Sequence, residues 1–424
     1  MLTALLSFLL FQFTDRYAAV LLIRDRWQSL TPLFESSSFW EGFTHQHGPH
    51  RMGWAYVLFK ANASLSGWNS RWDMFTQVTL FVLSAVMALR LKFILFQKWH
   101  WSDVLIPMIF ITLHAAINIT LNPYIHGLIP FWALLACLSY FITNIYWRTS
   151  SLSLLTFTGV FSGFTLVVSG AIVFLELLKM LRQKGSWAAS LCIALSGLAG
   201  FFYMILTQRS DEASFLMAPD TPFSFWMEYS LLLSGNFIFS SVNPQNYWLG
   251  ILVLVAIIPL MVMCVKSFFS SNSKGSEAYL ILLASSFIFI ILNTYGRTDN
   301  GLFNALNSRY IPATMPMVLF IYLASLRLKP YAIRSIYLIA FSLLILRFQL
   351  NRSARTDFVK REYHQIQKLE ECLLKGNTYA SCSEKVNCTI HPKPEQAQIE
   401  QKLKFFRENG LNIYRSDREV RKQP

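Results

Sequence analysis

Charge is scarce in this sequence. Of 424 residues only 14% are Asp, Glu, Lys or Arg, while 54% are hydrophobic; an ordinary soluble domain carries about 25% charged residues. Mean hydropathy is +0.40. A water-soluble fold of this length cannot hide so much apolar side chain, because a sizeable surface must stay polar. Metal-type spacing is also missing: the six cysteines form no CxxC pair and no Cys/His pattern, which argues against a zinc site. No basic helix or RNA-type motif accompanies the net charge of +14, so nucleic acid is not the expected partner. No basic segment and no small-residue cleavage site flank the first apolar run, Leu2 to Phe13. It reads as a retained first helix, not a signal peptide. It is short against the ~20 residues of a full span; either it continues through Asp15 and Arg16 to Ile23 or the chain begins upstream. Internal repeats and low-complexity tracts are absent.

What is present fits a lipid environment. Apolar runs predict further spans near 74–91, 103–121, 126–146, 152–163, 164–181, 187–207, 246–266, 277–294, 311–327 and 331–350, about eleven transmembrane helices in an all-α integral membrane fold. The pair 152–163 and 164–181 reads as one tilted helix or as a hairpin. The basic residues choose the hairpin: with an inside N-terminus, Arg90, Lys92, Lys98, Arg148, Lys179, Arg182, Lys184, Lys266, Lys274, Arg327, Lys329 and Arg334 all reach inside loops, the positive-inside pattern. Residues 1–350 then form the membrane domain, with outside loops 24–72, 208–245 and 294–310, and 351–424 form an extracytoplasmic helical tail. The first loop is long, polar and rich in tryptophan, as an interfacial segment with surface-lying helices would be. In the tail, two of Cys372, Cys382 and Cys388 are expected to pair, since the outside is oxidising. Ile399, Leu403 and Phe406 are spaced as on a helix that Gly410 stops.

Residues able to carry chemistry gather in the outside loops. The run His45-Gln46-His47-Gly48-Pro49-His50-Arg51 admits three readings: a metal site, recognition of a phosphate or sugar with Arg51 as bidentate donor, or a solvated loop. Glu41 precedes it. Asp25, between Arg24 and Arg26, is either a surface ion pair or a carboxylate base whose pKa burial would raise. Near the end, Arg297, Asp299, Arg309 and Tyr310 surround a Gly-containing turn suited to phosphate; snorkelling arginines are the alternative, although Arg309 opens an outside helix against the charge rule. The stretch Phe223 to Phe239 reads as an aromatic surface helix. His114, Asn118, Asn122 and His126 are candidates to line a cavity or to join helices.

These elements together resemble the polytopic lipid-dependent glycosyltransferases of the GT-C superfamily, and more closely a group of bacterial membrane proteins at its edge. The resemblance is carried by Asp25-Arg26-Trp27, Gly48-Pro49-His50-Arg51, Gly67-Trp68-Asn69, Arg297, Ser308-Arg309-Tyr310 and the closing Gly410-Leu411-Asn412-Ile413-Tyr414. It covers nearly the whole chain with short motifs. It implies a GT-C-like fold in a bacterial inner (plasma) membrane with the C-terminus outside. It also implies transfer of a sugar from a polyprenyl-phosphate donor to an extracytoplasmic glycan or lipid acceptor, without nucleic acid and with a divalent metal allowed but not required. Asp25, His50 and Arg51 would be catalytic, and Glu41, His47, Arg297, Asp299, Arg309 and Tyr310 would bind substrate. Two departures bear on activity and not on fold: Pro49 stands where the group has Glu, and Asp25 lacks an acidic neighbour. Other classes compatible with the sequence are a transporter or flippase of a lipid-linked glycan and a non-catalytic assembly protein.

Overall fold

A computed structural model of the chain describes residues 1–23, 26–35, 37–48, 50–121, 126–182, 186–208, 221–237, 247–270, 275–350, 353–390 and 396–415. Helices account for nearly all of the ordered backbone, and a two-stranded hairpin is the one sheet among the described residues. Seven helices are long and apolar enough to cross a membrane. They are Arg71–Phe96, Trp101–Thr120, Gly163–Leu181, Trp187–Leu206, Tyr247–Phe269, Ser276–Asn300 and one that begins at Tyr331. Backbone groups in hydrocarbon must be satisfied within the segment, which is why apolar runs of this length become helices. The chain is an all-α, multi-pass membrane protein.

Four shorter helices fill the remaining apolar segments: Leu2–Tyr17, Leu128–Ser139, Ile145–Val160 and Ile311–Ser325. The first continues through Asp15 and Arg16, but stops six residues before Ile23. Every residue of Ile311–Ser325 is buried. It packs against Ser276–Arg297, Leu128–Ser139, Leu105–Phe110 and Tyr331–Leu350, and so forms the axis of the bundle.

The segment expected as a hairpin is indeed two helices. Ile145–Val160 and Leu166–Leu181 are separated at Gly163, whose φ of +58° is open to glycine at little cost. The first of them starts earlier than expected, because the Asn144 side chain accepts from the N–H groups of Tyr146 and Trp147 at 2.9 and 3.2 Å and caps the helix there. The span expected at 103–121 is broken in the middle. Ile111 and Thr112 leave helical geometry, and the Thr112 hydroxyl accepts the His114 N–H at 3.1 Å. Both residues are buried, as a backbone break at membrane depth has to be.

At one end of the bundle the first loop and the tail make a second hydrophobic core, to which Trp27, Tyr56, Phe59, Leu369, Leu403, Phe406 and Ile413 contribute. The tail helices are Ser353–Leu374, Tyr379–Val386 and Gln396–Glu408. Cys372 pairs with Cys382, and Cys388 is a buried free thiol. Leu21 N–H donates to Glu370 Oε1 at 2.9 Å. Asn412 Nδ2 donates to the carbonyls of Val20 and Trp68 at 2.8 and 2.6 Å.

Candidate functional site

The histidine-rich run of the first loop folds as a hairpin, Gln46–His47 against His50–Arg51, with His47 opposite His50 and Gln46 opposite Arg51. Directly opposed residues share a face and successive ones alternate. The two histidines therefore project to one side and Arg51 to the other. Gly48 turns the chain at φ +57°; Pro49 lies outside the described residues.

On its side, buried Arg51 acts as a fastener. Its Nη1 donates to Thr44 O at 2.8 Å, and its Nη2 to Thr207 O at 2.6 Å and Thr207 Oγ1 at 2.9 Å. The guanidinium expected to grip phosphate thus holds the hairpin to the end of Trp187–Leu206. The hairpin is also held by close backbone approach: a Cβ on Gly53 would stand 2.1 Å from Phe161 O, and Trp54 N–H donates to Ser162 Oγ at 2.8 Å.

On the other side His50 meets Phe164, ring centroids 4.4 Å apart, and His126 stacks on the same Phe164 at 5.4 Å. The ring contacts continue from Phe164 to Phe289 at 5.6 Å and from Phe289 to Tyr310 at 5.8 Å. Beside His50 is a small cavity of about 40 Å³, bordered by His47, His126, Ser162 and Thr165, room for a water or two. Burial holds the His50 imidazole well below its ordinary pKa, and the positive fields of Arg297, His47, His126 and Arg309 add to the effect. His50 is neutral at physiological pH.

The arginines reach this site from the other end of the chain. Arg309 Nη2 donates to Tyr310 OH at 2.9 Å and to Asn304 Oδ1 at 3.3 Å. Asn304 Nδ2 donates to Tyr229 OH at 3.3 Å, and Tyr229 OH donates to Asn293 Oδ1 at 2.9 Å. Asn118 Nδ2 binds Ser308 O at 3.1 Å, which ties the broken span to the Ser308–Tyr310 turn. Arg297 closes the helix Ser276–Arg297, is half-buried, and makes no hydrogen bond or ion pair among the described residues. Its charge and that of Arg309 both act on His50 and Tyr229, and a cationic side chain left without a partner is a ready receptor for an anion.

Ring contacts and one hydrogen bond thus connect His50 to Tyr310 and Arg309, about 260 residues on in sequence, and the charge of Arg297 is felt at His50. Glu41 has a different visible use. It is exposed and completes a capping box with Ser38, whose hydrogen bonds lower its carboxyl pKa. Asp299 is exposed in the turn Thr298–Asn300. Asp25 and Asn122 lie outside the described residues. The residue after Asp25 is firmly placed: the Arg26 guanidinium pairs with Asp73 and Ser70, and burial lowers its pKa to about 9, so it stays charged against Asp73. Trp27 packs on Phe406, centroids 6.2 Å apart.

Three contributors escaped the sequence reading: Phe164, Tyr229 and Asn304. Tyr229 sits in the helix Phe223–Gly235, whose aromatic content was legible but whose buried face was not. Among the described residues no three His, Cys, Asp or Glu side chains gather to hold a metal ion. No protein-family model matches the chain, and no curated protein aligns with it significantly.

Proposed function

We propose that this protein transfers a sugar from a polyprenyl-phosphate carrier to a glycan or lipid acceptor, on the side of the membrane where the first loop and the tail lie. On this reading that side is extracytoplasmic, the chain is a GT-C-like enzyme of about eleven spans in a bacterial inner membrane, and its C-terminus is outside. The observation that carries the proposal is that the charges of Arg297, which has no partner among the described residues, and Arg309 both act on a neutral His50. In the reaction an acceptor hydroxyl attacks the anomeric carbon, and the bond from that carbon to the phosphate oxygen breaks. The hydroxyl proton passes to a base, assigned to Asp25. The polyprenyl phosphate leaves with more negative charge than it had as a diester, and Arg297 and Arg309 stabilise that growing charge. Neutral His50 offers a hydrogen bond to donor or acceptor. Arg51 supports the hairpin that carries it, while His47, Glu41, Asp299 and Tyr310 are assigned to substrate contacts.

The test is native mass spectrometry of the purified chain with undecaprenyl phosphate, together with turnover of the sugar-charged lipid. Retained lipid that Arg297→Ala loses, with turnover abolished by Asp25→Asn at unchanged lipid retention, supports the reading. No lipid retained under any extraction condition overturns it. Lipid retained with turnover unaffected by Asp25→Asn refutes the assigned base, and lipid retained with no turnover in the wild type leaves a lipid-binding protein without this chemistry.

A further inference from the structure

A second cavity lies at the opposite end of the bundle from the site above. The helix Ser276–Arg297 touches both. It places Arg297 in one and Ser276 and Glu277 in the other, and its 22 residues span roughly 33 Å at 1.5 Å per residue. The cavity measures about 260 Å³ and opens among the ends of Ile145–Val160, Leu166–Leu181, Trp187–Leu206 and Tyr247–Phe269. That is the liquid volume of about eight or nine waters at ~30 Å³ each, enough for a small polar headgroup and too little for an acyl chain.

Its lining is charged. Arg148, Lys179 and Arg182 contribute cations, and Glu176 and Glu277 carboxylates. Lys179 Nζ and Tyr140 OH both donate to Glu176 Oε1, at 3.0 and 2.6 Å. Glu176 Oε2 receives nothing, although the residue is fully buried. Glu176 is closed off behind the cavity wall, so its carboxylate serves Lys179 and Tyr140, whereas Glu277 is partly exposed in the lining. Arg182 is partly engaged: one nitrogen donates to Ser270 O at 2.6 Å, and the guanidinium lies 5.1 Å from the Phe268 ring. Arg148 makes no hydrogen bond or ion pair among the described residues. Two helices also begin here, capped by Asn144 and Ser186, and turn their positive ends toward this region.

The level of the cavity relative to the bilayer is marked by exposed aromatics. Tyr146, Trp147 and Trp187 are 80%, 69% and 59% exposed, all in the first turns of those two helices. Large aromatic side chains with a polar edge collect at the membrane–water interface, so the cavity stands at headgroup depth.

We propose that this cavity binds a phosphoester that carries an ammonium or hydroxyl donor. The phosphate oxygens sit against Arg148 and Arg182, and the donor pairs with the carboxylate of Glu277, which lines the same cavity and is partly exposed. A phospholipid headgroup and a free phosphoester share this chemistry. The site is independent of the sugar-transfer reading, because it uses none of the same residues.

The experiment uses the full chain. In detergent it is titrated with phosphoethanolamine and with glycerol 3-phosphate, and thermal stabilisation is recorded. In nanodiscs of equal phosphatidylethanolamine and phosphatidylcholine, retained lipid is identified by native mass spectrometry. The choline headgroup has the phosphate but no N–H or O–H donor. Selective retention of phosphatidylethanolamine, weakened roughly tenfold or more by Arg148→Ala, supports a lipid site. Stabilisation by a soluble phosphoester that Arg148→Ala removes supports a site for the free compound. Glu277→Gln should abolish the preference for phosphatidylethanolamine over phosphatidylcholine, and a Lys179→Met control reports whether losing the ion pair to Glu176 alone disturbs the fold. Equal retention of both lipids with no response to either soluble phosphoester overturns the proposal, and so does binding unaffected by Arg148→Ala.

Discussion

Replacement of Asp103 by alanine is expected to destabilise the protein by about 3–5 kcal/mol, the range for a buried ion pair broken from one side. Lys92 and Asp103 are 1% and 6% exposed, and the lysine ammonium binds both Asp103 Oδ2 and Lys98 O. The carboxylate is shared further: Tyr322 OH donates to Oδ1 at 2.7 Å and His100 N–H to Oδ2 at 2.7 Å. Ser102 Oγ adds a contact to Tyr322 OH at 2.9 Å. Alanine at 103 therefore leaves an ammonium without its counter-charge, held by Lys98 O alone, and a phenol without its carboxylate. The double variant Lys92→Met with Asp103→Ala removes the stranded charge and should recover most of the loss, because a matched apolar replacement of a buried pair is often nearly neutral. Unfolding of wild type, both single variants and the double variant in one detergent gives the coupling energy. A cost below about 1 kcal/mol for Asp103→Ala, typical of an exposed pair, would refute the claim that this network is dry and structural.

Three further outcomes are expected. His50 is neutral in the fold, whereas the unfolded chain takes up its proton below about pH 6.5. Its stability contribution is therefore full above that pH and lost as pH falls below it, by at most about 1.4 kcal/mol per pH unit; His50→Gln should flatten this limb of a thermal-unfolding pH profile. Cys372→Ser opens a loop of sequence separation 10 and should destabilise the tail by about 2–4 kcal/mol, with limited proteolysis of the reduced wild type showing the same change. Asn412→Ala removes two side-chain hydrogen bonds to the first loop and an αL residue at φ +54°. It should cost about 2 kcal/mol and speed hydrogen exchange at residues 18–23 and 66–70, while a wild-type exchange pattern there would refute the docking.

Much of the bundle was readable because lipid removes alternatives: an apolar run must become a helix, and basic residues punctuate the runs. The division at Gly163, the tail helix stopped by Gly410 and a disulfide within the tail followed from such local signals. Partners of single charged groups did not. Lys92 reads as a loop cation, yet the helix Arg71–Phe96 extends past it and turns it onto Asp103. Arg51 reads as a phosphate donor, but carbonyls of Thr44 and Thr207, more than 150 residues apart in sequence, fill two of its nitrogens. The break at Ile111–Thr112 carries no glycine, and the partners that tolerate it come from distant segments. For the candidate site, residue types in each loop were visible. The chain of rings that brings His50 to Tyr310 was not, because it is a tertiary arrangement.

The docking of the tail onto the first loop sets an order of events during synthesis. Lys402 binds Trp27 O, Arg415 binds Ser66 O, and Asn412 reaches Val20 across 392 positions. At ~5–20 residues per second, the ribosome delivers that asparagine about 20–80 s after the valine. The loop that carries His47 and His50 thus waits, with an open apolar surface, for a lid made more than 300 residues later. Synthesis stopped before Asn412 would leave a bundle with its helices in place and its first loop unfinished, so maturation of this loop reports that synthesis has passed Asn412.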